Sequence, residues 1–198
     1  MASLITNPQT FSTAARALSI GAAGTESWGT PGNASLNDAI RATYSSNAIR
    51  GTWTTFTHYL TGSNLIDEVP VGATIDGIEV SIERRESASD VAAWADSAVY
   101  VIKGGTIQTT ENKAVATAYT TTDAAVTYGG PTDLWGVTWT AAQVNAADFG
   151  FAISAGITGD DGEATSVPEV DVIGNVTIYY TAAPTGDGFG MLLKGVSN

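Results

Sequence analysis

Residues 128–153 read YGGPTDLWGVTWTAAQVNAADFGFAI. Two glycines and a proline directly follow Tyr128, which predicts a turn at the start of this stretch. Thr140 and Gln143 then have the spacing of a capping box, which predicts a helix running through about Ala147. Because so short a helix is unstable alone, we expect it to pack against a sheet.

The same stretch ends in a pattern typical of a strand. Phe149, Phe151 and Ile153 are large, and the residues between them are glycine and alanine. Successive side chains of a strand point to opposite faces, so this alternation predicts one face packed against a second layer.

Other segments predict further strands. The clearest is 75–83, IDGIEVSIE, in which isoleucine and valine at 78, 80 and 82 alternate with polar residues. Strands are also expected at 53–60, at 97–103 and at 170–180. In the last of these, four apolar residues fall in phase: Val172, Val176, Ile178 and Tyr180.

Less regular structure is expected elsewhere. Residues 109–127 predict weak strands or an irregular connection. Ser35 and Asp38 resemble a capping box and predict a helical turn around Asn37–Arg41.

Length and composition fit one all-β domain. The chain has 198 residues, of which 43% are hydrophobic and only 14% charged, and it contains 22 glycines. We therefore predict an antiparallel, jelly-roll-like β-sandwich with short helical turns and extended arms. Residues 1–24 form an N-terminal arm or a first strand, 25–183 form the sandwich, and 184–198 form a C-terminal arm.

Charge and composition exclude several classes of function. The net charge of −12 argues against nucleic acid or an anionic membrane as the main partner. The absence of cysteine excludes a disulfide framework, a thiolate nucleophile and a cysteine-based zinc site. The first residues lack the features of a signal peptide, and no run approaches the roughly 18 apolar residues of a membrane span.

No pattern of catalytic residues stands out, so we expect neither enzymatic activity nor a cofactor. His58 is the sole histidine, and without a second histidine or a cysteine or serine at catalytic spacing, we expect it to be structural. Two carboxylate pairs, Asp160 with Glu163 and Asp76 with Glu79, have the composition of a hydrolase pair, but nothing distinguishes them from other acidic residues.

One acidic cluster is a candidate calcium site. Asp160, Asp161 and Glu163 lie in a glycine-rich segment that we expect to be a loop. The full twelve-residue calcium-loop signature is absent, and the alternative is a solvated acidic loop.

Apolar residues near both ends are candidates for contact with another subunit. The segment after Pro184 is glycine-rich yet contains four large apolar residues: Phe189, Met191, Leu192 and Leu193. The N-terminal segment contributes three more: Leu4, Ile5 and Phe11. Apolar residues in a terminal segment need a surface to cover them, which predicts an assembly contact.

The order of the motifs resembles a β-sandwich module of tailed-bacteriophage and prophage structural proteins. The resemblance covers about Trp28 to Thr181, and its most specific parts are the turn leading into ATIDGIEV and the YGGPTDLWG segment. It is carried in chain order by Trp28, PGNA at 31–34, VPVGATIDGIEV at 69–80, DSAV at 96–99, YGGPTDLWG at 128–136, FGFAI at 149–153 and the strand from Val170 to Tyr180.

The resemblance implies a non-enzymatic virion component on the capsid surface, made in the host cytoplasm. The leading hypothesis is a capsid decoration or cement protein that binds the major capsid protein and copies of itself, with a trimer favoured. The alternative is a tail- or fibre-associated or carbohydrate-binding module, in which exposed tryptophans stack on sugars. The five candidates are Trp28, Trp53, Trp94, Trp135 and Trp139.

Overall fold

The computed structural model describes residues 1–14, 28–44, 49–65, 68–89, 92–164 and 166–184, and for 13, 49–55 and 159–164 it describes the backbone alone. Within these residues the chain forms one 3₁₀ helix (Pro31–Ala34), one α-helix, α1 (Ala141–Val144), and twelve strands. The strands are β1 (Ala2–Thr6), β2 (Pro8–Ala14), β3 (Trp28–Gly29), β4 (Ala42–Tyr44), β5 (Ile49–Phe56), β6 (Tyr59–Leu65), β7 (Thr74–Glu86), β8 (Ala95–Lys103), β9 (Thr106–Gln108), β10 (Ala124–Gly130), β11 (Gly150–Ala164) and β12 (Pro168–Thr181).

The strands form two antiparallel sheets that pack face to face, as the sequence predicts. Sheet 1 has the order β10-β7-β12-β4-β3, and β1 pairs with β12 beside β4. Sheet 2 has the order β9-β8-β11-β6-β2, and β5 pairs with β11 beside β6. In sheet 1 the last strand, β12, lies between β7 on one side and β1 and β4 on the other. In sheet 2 the last strand, β11, lies between β8 on one side and β5 and β6 on the other. This is the strand order of a jelly roll.

The core between the sheets is built from alternating inward-facing residues. On β7 the predicted set Ile78, Val80 and Ile82 is fully buried, and the alternation of buried and partly exposed residues continues to the end of the strand. Phe149, directly before β11, and Phe151 and Ile153 on β11 are likewise fully buried. Both predictions of inward faces are confirmed.

Residues 131–136, directly after β10, cross over the beginning of β7. The amide of Ile78 donates to the carbonyl of Asp133 at 2.9 Å, outside any sheet ladder. A Cβ at Gly77 would overlap the backbone of Gly130 and Pro131, so this crossing requires glycine at position 77. The sequence predicts a turn directly after Tyr128, but the two glycines end β10 and the chain turns at Pro131.

The capping box at Thr140 is confirmed. The amide of Gln143 donates to the Thr140 hydroxyl, and the Gln143 side chain accepts from the Thr140 amide. The helix ends at Val144, three residues before the predicted end, because the chain turns toward β11 there. The corresponding prediction at Asn37–Arg41 is wrong: Ser35 forms a bridge with Val172, and these residues form a bend.

Two predicted strands differ in detail. The strand expected at 53–60 is interrupted at Thr57 and His58, where the chain passes from β5 to β6 along one edge of β11. β12 has register shifts between Val170 and Val172 and between Gly174 and Thr177. These bulges change its inward-facing set, so Val172 is only partly buried while Val170 and Ile173 are fully buried.

Candidate functional site

A buried cluster of polar side chains lies where β7, β8 and β10 meet. Asp96 receives hydrogen bonds from the hydroxyls of Tyr119 (2.8 Å) and Tyr128 (2.7 Å). Its Oδ1 is 2.8 Å from Nε of Arg84, and its Oδ2 accepts from the amide of Val115 at 3.0 Å. The Arg84 guanidinium also lies 4.3 Å from the centre of the Tyr119 ring.

This cluster is closed to ligands. The side chain of Asp96 is fully buried and that of Arg84 is 3% exposed. Each carboxylate oxygen already accepts from protein donors, so the carboxylate is satisfied within the fold. We conclude that the cluster is structural. It ties Tyr119, in the irregular segment between β9 and β10, to the strands of both sheets.

The two tyrosines of the cluster predict a loss of stability at alkaline pH. Burial, and next the negative charge of Asp96, raise the pKa of Tyr119 and Tyr128 in the folded protein. Unfolded tyrosines ionise near pH 10. The contribution of the two protonated tyrosines to the free energy of unfolding is therefore complete below about pH 10, and it is lost as the pH rises from there toward their raised pKa values in the folded protein. We expect the free energy of unfolding to fall by about 1.4 kcal/mol per pH unit for each tyrosine, measured by urea unfolding.

The control for this pH dependence is Tyr128→Phe, which removes one of the two groups. Its slope above about pH 10 should be shallower by one tyrosine's contribution. An unchanged dependence of the free energy of unfolding on pH would show that the pKa of Tyr128 is not raised by folding.

The outer face of sheet 1 carries a small polar hollow, which we call the Glu83 hollow. Its volume is about 200 Å³. Its lining includes side-chain amides, hydroxyls, one carboxylate and apolar side chains, among them Asn7, Asn37, Ser81, Glu83, Leu36 and Val172. Val172 reaches this outer surface because of the bulge in β12.

Neither Glu83, which lines the hollow, nor the neighbouring Asp171 forms a salt bridge among the described residues. Glu83 accepts from the side chain of Asn37 at 2.8 Å, and Asp171 accepts from the amide of Ala39 at 3.4 Å through one oxygen only. Asp171 is 1% exposed, yet its Oδ1 has no hydrogen-bond partner among the described residues. Burial, and next the charges of Asp123 and Asp171, raise the pKa of Glu83.

The nearby arginines are already paired with other carboxylates. Arg41 binds Asp123 through two nitrogens, at 3.0 and 2.5 Å. Arg85 binds Glu169 at 2.7 Å. Burial raises the pKa of Glu83 and of Asp171, and it outweighs the charge of Arg41, which still lowers both pKa values.

A wider groove lies on the other side of the molecule, between the β8–β9 hairpin and α1. It encloses about 610 Å³ and is lined by Lys103, Thr106, Gln108, Gln143 and Asp148. The Lys103 ammonium donates to the carbonyl of Thr138 at 2.7 Å. Gln143 is held in the capping box. Lys103 and Gln143 therefore already form hydrogen bonds within the protein.

The predicted contact residues at the N-terminus lie in strands of both sheets. Leu4, on β1, and Phe11, on β2, are partly buried against the core. Ile5 points outward and is 63% exposed. The predicted contact residues of the C-terminal segment lie outside the described residues: Phe189, Met191, Leu192 and Leu193.

The segment with the candidate calcium ligands is a strand and not the predicted loop. The backbone of 159–164 extends β11 and pairs with β5, with a register shift between Gly159 and Gly162. The side chains of Asp160, Asp161 and Glu163 lie outside the description. Among the described residues, no three histidine, cysteine or acidic side chains form a metal-binding group.

The tryptophans lie mainly in the core. Trp94 and Trp135 are fully buried, and Trp28 and Trp139 are at most 9% exposed. The side chain of Trp53 lies outside the description. Trp28 donates to the carbonyl of His58 at 2.9 Å. No described tryptophan ring is therefore free to stack on a sugar.

Sequence reasoning missed both polar features of the fold. Continuing the alternation of β7 past position 83 places Arg84 and Glu86 on the inward face, a signal that was available in the sequence. The Glu83 hollow had no such signal, because a bulge and a loop from a distant part of the chain create it.

No helix among the described residues is long and apolar enough to cross a membrane.

No model of a known protein family matches this chain, and no curated protein matches it either. Its function must therefore be inferred from its own residues.

Proposed function

We propose that this chain is a non-enzymatic structural protein of a tailed-phage virion, which decorates or cements the capsid by binding the major capsid protein and copies of itself. The observation that carries the proposal is the position of the exposed apolar residues. All five large apolar side chains that are exposed among the described residues lie on segments attached to sheet 1: Met1, Ile5, Leu36, Ile40 and Val71.

Three of these residues lie near the end of β12. β1 pairs with the C-terminal half of β12, so Met1 and Ile5 lie along that edge. Val71 is 94% exposed in the turn before β7, and a Cβ on the next residue, Gly72, would contact Ala183 just beyond β12. The segment containing the predicted C-terminal contact residues begins directly after this point. The N-terminal strand and the start of the C-terminal segment thus share one end of sheet 1.

The edge of β1 favours a contact with another chain. Within the described ranges, no strand pairs with the outer edge of β1. An unpaired edge can accept a strand from a neighbour, and Ile5 would add apolar burial to the backbone hydrogen bonds. Burial of apolar surface stabilises such contacts by about 25 cal/mol per Å², less the cost of ordering the segments involved.

Particle composition tests this proposal. Particles purified from the organism that encodes the chain should contain about as many copies as there are capsomer positions, measured by quantitative mass spectrometry against the major shell protein. The variant Ile5→Asp should lower occupancy on these particles, because it places a charge in an apolar contact.

The matched control is Thr109→Asp, which adds the same charge on the exposed turn after β9, on sheet 2. Its occupancy should equal that of the unmodified chain. Only a handful of copies per particle would favour the tail or fibre alternative. Complete absence from particles would refute the proposal.

A further inference from the structure

We propose that the Glu83 hollow is a docking site for a lysine side chain of the partner protein. This inference rests on the proposed function for its biological meaning, since it specifies the chemistry of the surface that sheet 1 would contact. It concerns a single side chain. At about 200 Å³ the hollow is smaller than the usual small-molecule pocket of about 300–1,000 Å³.

The charges at the hollow favour a cation. Glu83 is the one carboxylate that lines the hollow, and neither it nor Asp171, next to the lining residue Val172, forms a salt bridge among the described residues. Arg41 and Arg85 are instead bound to Asp123 and Glu169. Buried carboxylates are stable when paired with a cation or fully hydrogen-bonded. An added ammonium group would supply the missing positive charge.

The uncharged part of the lining favours lysine over a simple ion. Leu36 is 64% exposed at the rim, and Val172 contributes a second apolar surface. A lysine side chain combines four methylene groups with an ammonium head, so its stem can cover apolar surface while its head meets the carboxylate. The Ser81 hydroxyl and the side-chain carbonyl oxygens of Asn7 and Asn37 lie among groups able to accept its remaining protons.

The site is also fixed in shape before any partner binds. The Asn37 side chain donates to Glu83, which orients the carboxylate. On the opposite wall, the Asn7 side chain accepts from the amide of Asn175 at 2.6 Å, which links the β1–β2 connection to the bulged part of β12. Side chains held in this way lose little conformational freedom on binding, which favours recognition of even one side chain.

The probe that tests this inference is N-acetyl-lysine methylamide, and its control is N-acetyl-norleucine methylamide, which has the same four-carbon stem without the ammonium group. Binding is followed by two-dimensional nitrogen–proton NMR of the full chain, through the side-chain amides of Asn7 and Asn37 and the backbone amide of Gly174. The lysine compound should shift these signals with a Kd at least about tenfold lower than that of the norleucine compound, as expected for one hydrogen bond to a charged group.

Variants identify the carboxylate responsible. Glu83→Gln should weaken binding of the lysine compound by about tenfold. Glu79→Gln makes the same charge change on the same outer face of β7, four residues away, and should alter binding by less than about twofold, because exposed charges are screened by salt over such distances. Thermal melting of both variants shows that each remains folded.

Three outcomes would overturn the inference. The norleucine compound could bind as tightly as the lysine compound, which would make the hollow merely apolar. Glu79→Gln and Glu83→Gln could weaken binding equally, which would mean that the overall negative charge of the surface attracts the lysine compound without a specific contact to Glu83. Methyl glucoside could shift the same signals at lower concentration than the lysine compound, which would make the hollow a sugar site. Because no particle is needed, failure here is distinguishable from failure of the capsid proposal.

Discussion

The variant Trp135→Ala should lower the free energy of unfolding by about 3–5 kcal/mol, measured by urea denaturation. Trp135 is fully buried, and its indole nitrogen donates to the carbonyl of Ile78 at 3.0 Å. Its ring packs edge-on against Phe151 with 5.8 Å between centroids. Alanine would leave a cavity between the 128–136 segment and the core. It would also leave the Ile78 carbonyl without this donor.

The backbone conformation of Trp135 is also unusual. Trp135 has a φ of 58°, in the left-handed region that residues other than glycine rarely adopt. The packing and hydrogen bonds of the large side chain hold this conformation, so their removal should release the segment from β7.

Val71→Ala is the control for Trp135→Ala, because Val71 is 94% exposed and its truncation should change stability by less than about 0.5 kcal/mol. Normal stability combined with lost binding to particles would identify Trp135 as part of a contact site and not of the core.

The second large effect is expected for Asp96→Asn. This variant keeps the shape of the side chain but leaves the buried Arg84 guanidinium without its negative partner. Removing one member of a buried ion pair costs about 3–5 kcal/mol, because the remaining charge stays desolvated. Urea denaturation near neutral pH measures the loss.

Two further variants define the origin of that loss. Glu111→Gln breaks the pair with Lys113, in which the Glu111 side chain is 45% exposed, and should cost no more than about 1 kcal/mol. The double variant Arg84→Met/Asp96→Asn removes both charges but keeps a side-chain oxygen that can accept from the tyrosine hydroxyls, and it should be more stable than Asp96→Asn alone. If Asp96→Asn costs as little as Glu111→Gln, the cluster does not hold an essential charge pair.

The sequence predicts those parts of the fold that depend on neighbours along the chain. The inward face of β7 and the capping box at Thr140 follow from spacings of two and three residues, and the structure has both. The all-β sandwich follows from repeated strand patterns separated by turns. Local period and local hydrogen bonding are enough for these features.

Features that depend on distant pairing are not predictable in this way. The bulges of β12 arise from its register with β7, and they move Val172 from the expected core to the outer surface. Arg84 and Asp96 are unremarkable as single residues, and only the packing of the two sheets shows that they form a buried pair. The Glu83 hollow joins residues from the beginning, middle and end of the chain, so no single window of sequence contains it.

The pairing of β1 with β12 also constrains how the protein can fold. Ala2 lies opposite Tyr180, so synthesis must pass residue 180 before β1 can pair with β12. Contacts between such distant residues raise contact order, which slows folding and prolongs the exposure of unpaired strand edges. A newly made chain therefore passes through a period in which its N-terminal strand is available to the same strand edge of another copy. We therefore expect exchange of β1 between molecules to compete with folding.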